Sequence, residues 1–247
     1  MLPMLAWATD GRNFTDRVYV ASHGQALPYK ILFPENFDPA ESYPLFLFLH
    51  GAGERGTDNK AQITHGEQLF LSDDLLKQAI VIAPQCPEED YWVNIVRPVN
   101  DNAHRVFPES APISISLMSV KELLDSFIAL GMVDESRIYG AGLSMGGFGI
   151  LDLAMRYPDF FAAVEPICGG VNVNRVASYS GPTAFRFFHG LRDDIVPPRF
   201  SHDAYRALQE KGVESYLVEY PEANHNSWDS AFLEPDFIVW LFKHKNK

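Results

Sequence analysis

Short, continuous runs of apolar residues alternate along the chain with longer segments in which apolar residues recur at helical spacing. The runs Leu45–Leu49 and Ile80–Ala83 are typical of strands that are buried on both faces. The segment Ile113–Leu130 has helical spacing, and Gly131 directly after it is a suitable C-terminal cap. The chain therefore begins as a series of strand and helix units.

This alternation continues to the C-terminus. Further strands are predicted at Arg17–Ser22, Tyr29–Phe33, Arg137–Leu143, Ala162–Ile167, Ala184–His189 and Ser215–Glu219, of which the first two are expected to form a hairpin. Further helices are predicted at Met145–Tyr157, Pro198–Lys211 and Asp229–Lys245, the last with an early turn or a break at Pro235. Alternating units of this kind predict an α/β fold with a mostly parallel central sheet and helices on both faces. A length of 247 residues fits a single domain over residues 1–247.

Two stretches fit this alternation poorly, namely Gly51–Leu76 and Gln85–Pro112. Each follows the end of a predicted strand. Because ligands of open α/β sheets bind beyond the carboxyl ends of the strands, both stretches are candidates for substrate-binding loops or a lid.

Charge narrows the range of partners. The chain carries 20 Lys and Arg against 32 Asp and Glu, a formal net charge of −12, which disfavours binding to nucleic acid and to anionic membrane surfaces. No apolar run reaches the roughly 18–20 residues of a membrane span. The N-terminal residues lack the basic and long apolar regions of a signal peptide, so we expect either a cytoplasmic protein or the processed form of an exported one. The two cysteines are too few for a disulfide framework, and Cys168, within an apolar run, is interpreted as a small buried residue.

The strongest chemical signal is a G-x-S-x-G motif at residues 142–146, centred on Ser144. It lies between a predicted strand and a predicted helix, which is the context that the nucleophile elbow of a hydrolase requires. In that turn the serine hydroxyl is exposed above the sheet. Ser144 is therefore the candidate nucleophile.

A serine hydroxyl needs a base, and in this arrangement the acid and then the histidine follow the serine along the chain. Of the four downstream histidines, His189 closes an apolar strand and is interpreted as structural, whereas His202 and His244 are interpreted as surface residues. His225 lies after the last predicted strand, in a loop that can reach back to Ser144. His225 is therefore the candidate general base.

The acid is expected on a loop between Ser144 and His225. Asp193 and Asp194 follow the strand Ala184–His189 as two adjacent carboxylates, and only one of them can face the histidine. Composition alone leaves both open.

A tetrahedral intermediate also needs donors for its oxyanion. One is expected to be the backbone N–H of Met145, the residue after the nucleophile. The second is expected from the glycine-rich loop at residues 50–56, since glycine lets the backbone approach the substrate closely.

Five motifs, HGAGERG, APQCP, GLSMGG, HGLRDDIVP and NHNSWD, occur in this order and resemble the carbohydrate esterase family 1 and polyhydroxybutyrate-depolymerase-like esterases of the α/β-hydrolase superfamily. The resemblance covers roughly residue 28 to the C-terminus and includes feruloyl and acetylxylan esterases. It implies Asp193 as the catalytic carboxylate and Ala52 as the second oxyanion donor. The side chains that it implies to border the substrate are Gln85, Trp92 and Trp228.

These observations favour a serine esterase that releases hydroxycinnamoyl or acetyl groups from plant cell-wall polysaccharide, without a cofactor. The alternatives are a small-acyl carboxylesterase and a peptidase of the prolyl-oligopeptidase type, which would use the same triad but usually carries a large additional domain. A non-catalytic binding protein of the same fold is disfavoured, because every catalytic element is present. No metal site is predicted, since His50, His65 and His104 lack neighbours at ligand spacing.

Overall fold

One eight-stranded sheet forms the centre of the computed structural model, which describes residues 13–96 and 107–246. The strands are β1 (Thr15–Val20), β2 (Ala26–Leu32), β3 (Tyr43–Leu49), β4 (Ile80–Pro84), β5 (Val133–Leu143), β6 (Ala163–Ile167), β7 (Ala184–Gly190) and β8 (Ser215–Tyr220). The helices are α1 (Glu67–Ser72), α2 (Ile115–Ala129), α3 (Met145–Arg156), α4 (Val173–Ser178), α5 (Arg199–Glu210), α6 (Ser227–Ala231) and α7 (Phe237–Phe242).

The sheet has the order β1-β2-β4-β3-β5-β6-β7-β8. Strand β2 is antiparallel to both β1 and β4. In the remaining run β4-β3-β5-β6-β7-β8, each strand is parallel to the next. The predicted hairpin and the mostly parallel sheet are thus confirmed. Because the strands from β3 to β8 are parallel, the loops that follow them meet at one edge of the sheet.

Strand β3 shows why the sheet is buried on both faces. Leu45, Leu47 and Leu49 belong to one apolar core, and Phe46 and Phe48 belong to a second core on the other side. Alternate side chains of a strand point to opposite faces, so a continuous apolar run needs cover on both. Helices α2 to α5 contribute side chains to the first core, and α1, α6 and α7 contribute to the second. The helices therefore cover both faces, as expected.

Some boundaries differ from the predictions. Helix α2 ends before Gly131, whose φ of 76° is the left-handed conformation expected of a glycine C-cap. Strand β5 begins at Val133, four residues earlier than predicted, and α4 was not predicted. The helix predicted over 229–245 has the break that was one of the two alternatives for Pro235: α6 and α7 are separate helices, and Pro235 lies between them.

The two irregular stretches have different structures. The stretch Gly51–Leu76 contains two short 3-10 turns and α1. The stretch Gln85–Pro112 is described only up to residue 96 and from residue 107. None of the helices in residues 13–96 and 107–246 combines the length and apolar character that a membrane crossing requires.

Candidate active site

Ser144 occupies the sharp turn between β5 and α3. Its backbone has φ 52° and ψ −113°, a conformation that residues other than glycine rarely adopt and that costs on the order of 1–3 kcal/mol. The turn is held by the Ser144 N–H, which donates to the carbonyl of Ile167 at 2.9 Å, and by the Phe148 N–H, which donates to the carbonyl of Ser144. This strained turn holds the serine at the carboxyl end of a central strand, as in a nucleophile elbow.

The two glycines of the motif are required by close approach of the backbone. A Cβ atom at Gly146 would lie 1.8 Å from the carbonyl oxygen of Leu49, and one at Gly142 would lie 2.4 Å from the carbonyl oxygen of Gly146. Neither distance is possible between non-bonded atoms. The start of α3 therefore packs directly against the end of β3, which sets Ser144 beside the loop that follows β3.

The three residues predicted as a triad form one hydrogen-bonded chain. Ser144 Oγ lies 2.9 Å from His225 Nε2, and His225 Nδ1 lies 2.8 Å from Asp193 Oδ2. Since a carboxylate only accepts, Nδ1 donates to Asp193 and Nε2 is left to accept from the serine hydroxyl. Asp193 follows β7 and His225 follows β8, so three different loops supply the chain at the same edge of the sheet.

Four donors surround the Asp193 carboxylate. Oδ1 accepts the backbone N–H groups of Ile195 at 3.0 Å and Val196 at 2.8 Å, and Oδ2 lies 2.8 Å from His225 and 3.3 Å from His189. Burial alone would raise the pKa of Asp193, but the hydrogen bonds from His189, His225 and Val196 hold it well below its usual range. Asp193 is thus an anion in this site. Asp194, which composition could not separate from it, is exposed to solvent.

His189 lies behind Asp193 and is fully buried. Its Nδ1 is 2.7 Å from Ser201 Oγ, and its Nε2 is 2.8 Å from the carbonyl oxygen of Val196. Nε2 therefore carries a proton and points it at Val196 and Asp193. The sequence interpretation of His189 as structural did not include this contact with Asp193. The available signal for this contact was the position of His189 near the end of β7, four residues before Asp193.

Both predicted oxyanion donors are the first residues of helical segments. Met145 begins α3, and Ala52 begins the 3-10 turn Ala52–Glu54 after β3. The N–H of a residue in this position has no acceptor within its own helix, so it remains available to a ligand. The dipole of α3 also favours negative charge near Met145.

The segment after β3, residues 50–59, is called the β3 loop, and His50 fixes its start. His50 Nδ1 donates to the carbonyl of Gly51 at 2.6 Å, and its Nε2 accepts the N–H of Cys86 at 3.0 Å. Burial lowers the pKa of His50 to about 4, so the ring is neutral near pH 7 and can keep one donor and one acceptor. Trp92, also fully buried, donates its Nε1–H to the carbonyl of His50 at 3.1 Å.

Gln85 holds the rest of the β3 loop. Its Oε1 accepts the N–H of Asn59 at 2.7 Å, and its Nε2 donates to the carbonyl of Glu54 at 3.1 Å and to Asp58 Oδ1 at 2.8 Å. The side chain is fully buried, like that of Trp92. Both were expected to border the substrate, and the structure instead places both in the support of the β3 loop. Their burial depends on how β4 packs beside this loop, which no local motif encodes.

Trp228 is the one predicted substrate neighbour that keeps exposed surface. Its ring centre lies 5.5 Å from that of His225 in an edge-to-face arrangement and 5.1 Å from that of His65. His65 Nε2 in turn lies 3.7 Å from Glu54 Oε1. Trp228, His65 and Glu54 thus form a continuous rim from His225 to the β3 loop.

The end of the second irregular stretch is anchored by a partly buried ionic cluster. Asp152 pairs with both Arg156 and Arg175, and each arginine also donates to the carbonyl of Ala111 at 2.8 Å. Phe107 packs against two rings, those of Phe148 and Phe200. These contacts fix the residues from 107 to 111 against α3, α4 and α5. His104, considered above as a metal ligand, lies outside the described residues.

Comparison with known proteins gives matches over most of the chain. A family model described as phospholipase/carboxylesterase matches residues 38–234. A probable carboxylesterase of Oryza sativa subsp. japonica is 25% identical over 202 residues, which cover 77% of this chain and 84% of the rice protein. A probable feruloyl esterase C of Aspergillus niger is 24% identical over 205 residues, which cover 81% of this chain and 67% of the fungal protein.

Solved structures agree with these matches. The crystal structure of a thermostable esterase superposes with a TM-score of 0.79 at 31% sequence identity. The superposition covers 94% of this chain and 63% of the esterase chain. The fold expected from the sequence, that of the α/β-hydrolases, is thereby confirmed.

Proposed function

The chain belongs to the phospholipase/carboxylesterase family of serine hydrolases, and from this premise we propose that Ser144, His225 and Asp193 are its catalytic triad. The observation that carries the proposal is the hydrogen-bonded chain from Ser144 Oγ through His225 to Asp193, with distances of 2.9 and 2.8 Å. Nucleophile, base and orienting acid stand in the order and at the spacing that acyl transfer needs.

The reaction follows from this tautomer. His225 Nε2 takes the hydroxyl proton as Ser144 attacks the acyl carbonyl, and the resulting imidazolium protonates the leaving alcohol. Water then repeats the sequence to release the acid. Asp193 stays ionised throughout, since its four donors stabilise the anion, and it fixes the orientation of His225.

The oxyanion of the tetrahedral intermediate is bound by the N–H groups of Met145 and Ala52. Each begins a helical segment, and the two segments meet where Gly146 contacts the end of β3. In hydrolases the loss of one such donor lowers kcat by about 10²–10³. The hydrogen bonds of His50 and Gln85 keep the β3 loop, and with it Ala52, in place.

For the substrate we propose a hydroxycinnamoyl or acetyl ester of plant cell-wall polysaccharide. Two observations support it: the resemblance to feruloyl and acetylxylan esterases, including the Aspergillus niger relative, and the rim of Trp228, His65 and Glu54 beside His225. An aromatic ring at the mouth suits a phenolic acid or the face of a sugar. The carboxylate and imidazole suit hydroxyl groups.

The experiment is a comparison of kcat/KM for methyl ferulate, 4-nitrophenyl acetate, acetylated xylan and a prolyl anilide. Ser144→Ala serves as the blank and Ser230→Ala, a partly buried serine of α6, as the matched control. Turnover that survives in Ser144→Ala, or failure of a fluorophosphonate probe to label the wild type, contradicts the triad.

The pattern of rates separates the substrate classes. Preference for ferulate or for acetylated xylan supports the cell-wall proposal. Turnover of 4-nitrophenyl acetate without turnover of methyl ferulate or acetylated xylan indicates a small-acyl carboxylesterase. Preference for the anilide indicates a peptidase, because the triad cleaves esters and amides by the same acyl chemistry.

A further inference from the structure

The thiol of Cys168 lies beside the catalytic histidine and aspartate. Cys168 directly follows β6, its φ of 40° turns the chain sharply, and its N–H donates to the carbonyl of Phe188 at 2.8 Å. Its Sγ, a carboxylate oxygen of Asp193 and a ring nitrogen of His225 all lie within 4.8 Å of one another. The thiol is reduced and fully buried, whereas His225 reaches the surface with 19% of its side chain exposed.

Thiolate, imidazole and carboxylate are the three groups with which proteins bind zinc, at bond lengths of about 2.0–2.3 Å. Those bond lengths place the ligand atoms of a tetrahedral site about 3.5 Å apart. The three ligand atoms lie within 4.8 Å of one another, and His225 Nδ1 already approaches Asp193 Oδ2 to 2.8 Å. The three groups are therefore close enough for side-chain rotations to bring them to one cation, and water can fill the fourth position.

The ligands are also held in advance. Two backbone N–H groups fix the other oxygen of Asp193, and the sheet fixes Cys168 at the end of β6. Because part of the His225 side chain is exposed, a cation can approach the three ligands from solvent on that side. We propose that Cys168, Asp193 and His225 form an inhibitory site for zinc and other thiophilic divalent cations.

The protons balance as follows. The Cys168 thiol releases one proton to solvent as its sulfur binds the metal, and Asp193 binds as the carboxylate. When the metal takes His225 Nδ1, the single ring proton of the neutral imidazole moves to Nε2. Nε2 then has no lone pair for the Ser144 hydroxyl, so turnover stops. Because a proton is released, binding tightens as the pH rises.

Loss of turnover rests on the proposed function, but binding of the metal does not, so the two are tested separately. Binding is measured by adding Cd²⁺ to the full chain and following the thiolate-to-metal charge-transfer absorption. The Ser144→Ala background keeps all three ligands. We expect one equivalent to bind in this variant and in Cys86→Ala, which removes the other buried thiol, and no such band in Cys168→Ala.

Inhibition is measured with Zn²⁺ on the ester that the wild type turns over fastest. We expect the concentration for half-inhibition to rise at least tenfold in Cys168→Ala and to stay unchanged in Cys86→Ala. Cys168→Ser, which keeps the size of the side chain, is the second variant if alanine prevents folding. A band that persists without Cys168, equal inhibition of wild type and Cys168→Ala, or no metal bound by the wild type would each overturn the site. Turnover by Ser144→Ala would overturn the triad and leave the Cd²⁺ measurement valid.

Discussion

His189 Nε2 lies 3.3 Å from Asp193 Oδ2, and neither side chain has exposed surface. The carboxylate that orients His225 is therefore itself oriented by a second histidine. Ser201 completes this support, because its hydroxyl lies 2.7 Å from His189 Nδ1 and 3.0 Å from the carbonyl oxygen of Gly169.

Replacing His189 by leucine is expected to lower kcat by about tenfold to a hundredfold, the effect of one hydrogen bond to a charged group. Leucine fills similar space but donates nothing to Asp193, so the carboxylate can turn away from His225. Steady-state kinetics with a good ester substrate measure the change. His202→Leu, at a partly exposed histidine of α5, is the matched control. Equal kcat values for the two variants would show that His189 only packs.

The stability of the protein is expected to fall as the pH drops from about 6.5 to about 4, in part through His50. Burial keeps this ring neutral in the folded state, with its pKa lowered from 6.5 to about 4, whereas the unfolded chain binds a proton throughout this range. The unfolded state thus binds more protons, and the free energy of unfolding decreases as the pH falls. Urea unfolding measures the free energy of unfolding of the wild type and of His50→Gln at both ends of this pH range. The decrease in this free energy from pH 6.5 to pH 4 should be smaller in the variant by about 3 kcal/mol. If the free energy of unfolding had the same dependence on pH in both proteins, the neutral His50 ring would be contradicted. His202→Gln is the control for the loss of a histidine elsewhere in the chain.

Gln85→Leu is expected to lower kcat about tenfold with little change in KM. The side chain holds the β3 loop, and loosening that loop would weaken the proposed oxyanion donor, Ala52, which would act on the transition state. The variant should also lose about 1–3 kcal/mol of stability, because polar groups of the loop lose their buried partner. The control is Gln68→Leu at an exposed position of α1. An increase in KM at constant kcat would instead place Gln85 against the substrate.

Gly146→Ala is expected to cost about 3 kcal/mol or more, or to prevent folding, since its Cβ would overlap the carbonyl of Leu49. Gly53→Ala, in the β3 loop, is expected to fold normally because no atom beyond the adjacent residues lies within 4 Å of the added carbon. Thermal unfolding followed by circular dichroism compares them. A stable Gly146→Ala variant would mean that α3 can move away from β3.

Features encoded over a few residues were predictable from the sequence. The apolar runs of β3 and β4 and the turn at Ser144 are of this kind, because the strain and the close packing are written into the motif itself. The choice between Asp193 and Asp194 was left open by the residues alone, and the directions of their side chains separate the two. One faces His225, and the other faces solvent.

Features that depend on contacts between distant segments were not predictable. Gln85 and Trp92 lie next to the right loop in sequence, but their burial depends on the packing of β4 against it. The proximity of Cys168 to His225 brings together the segments that follow β6 and β8. The break between α6 and α7 was predicted only as one of two alternatives. Pro235 indicates an interruption, but the helical spacing of apolar residues continues on both sides of it.

The arrangement of the triad on three loops has a consequence for biosynthesis. Ser144 and His225 are 81 residues apart, and His225 follows the last strand of the sheet. A nascent chain that has released only its first six strands carries the strained serine but has no base to activate it. The proposed base therefore reaches Ser144 only when the final strand has paired with β7, and a chain that ends before β8 is expected to lack hydrolysis that depends on His225.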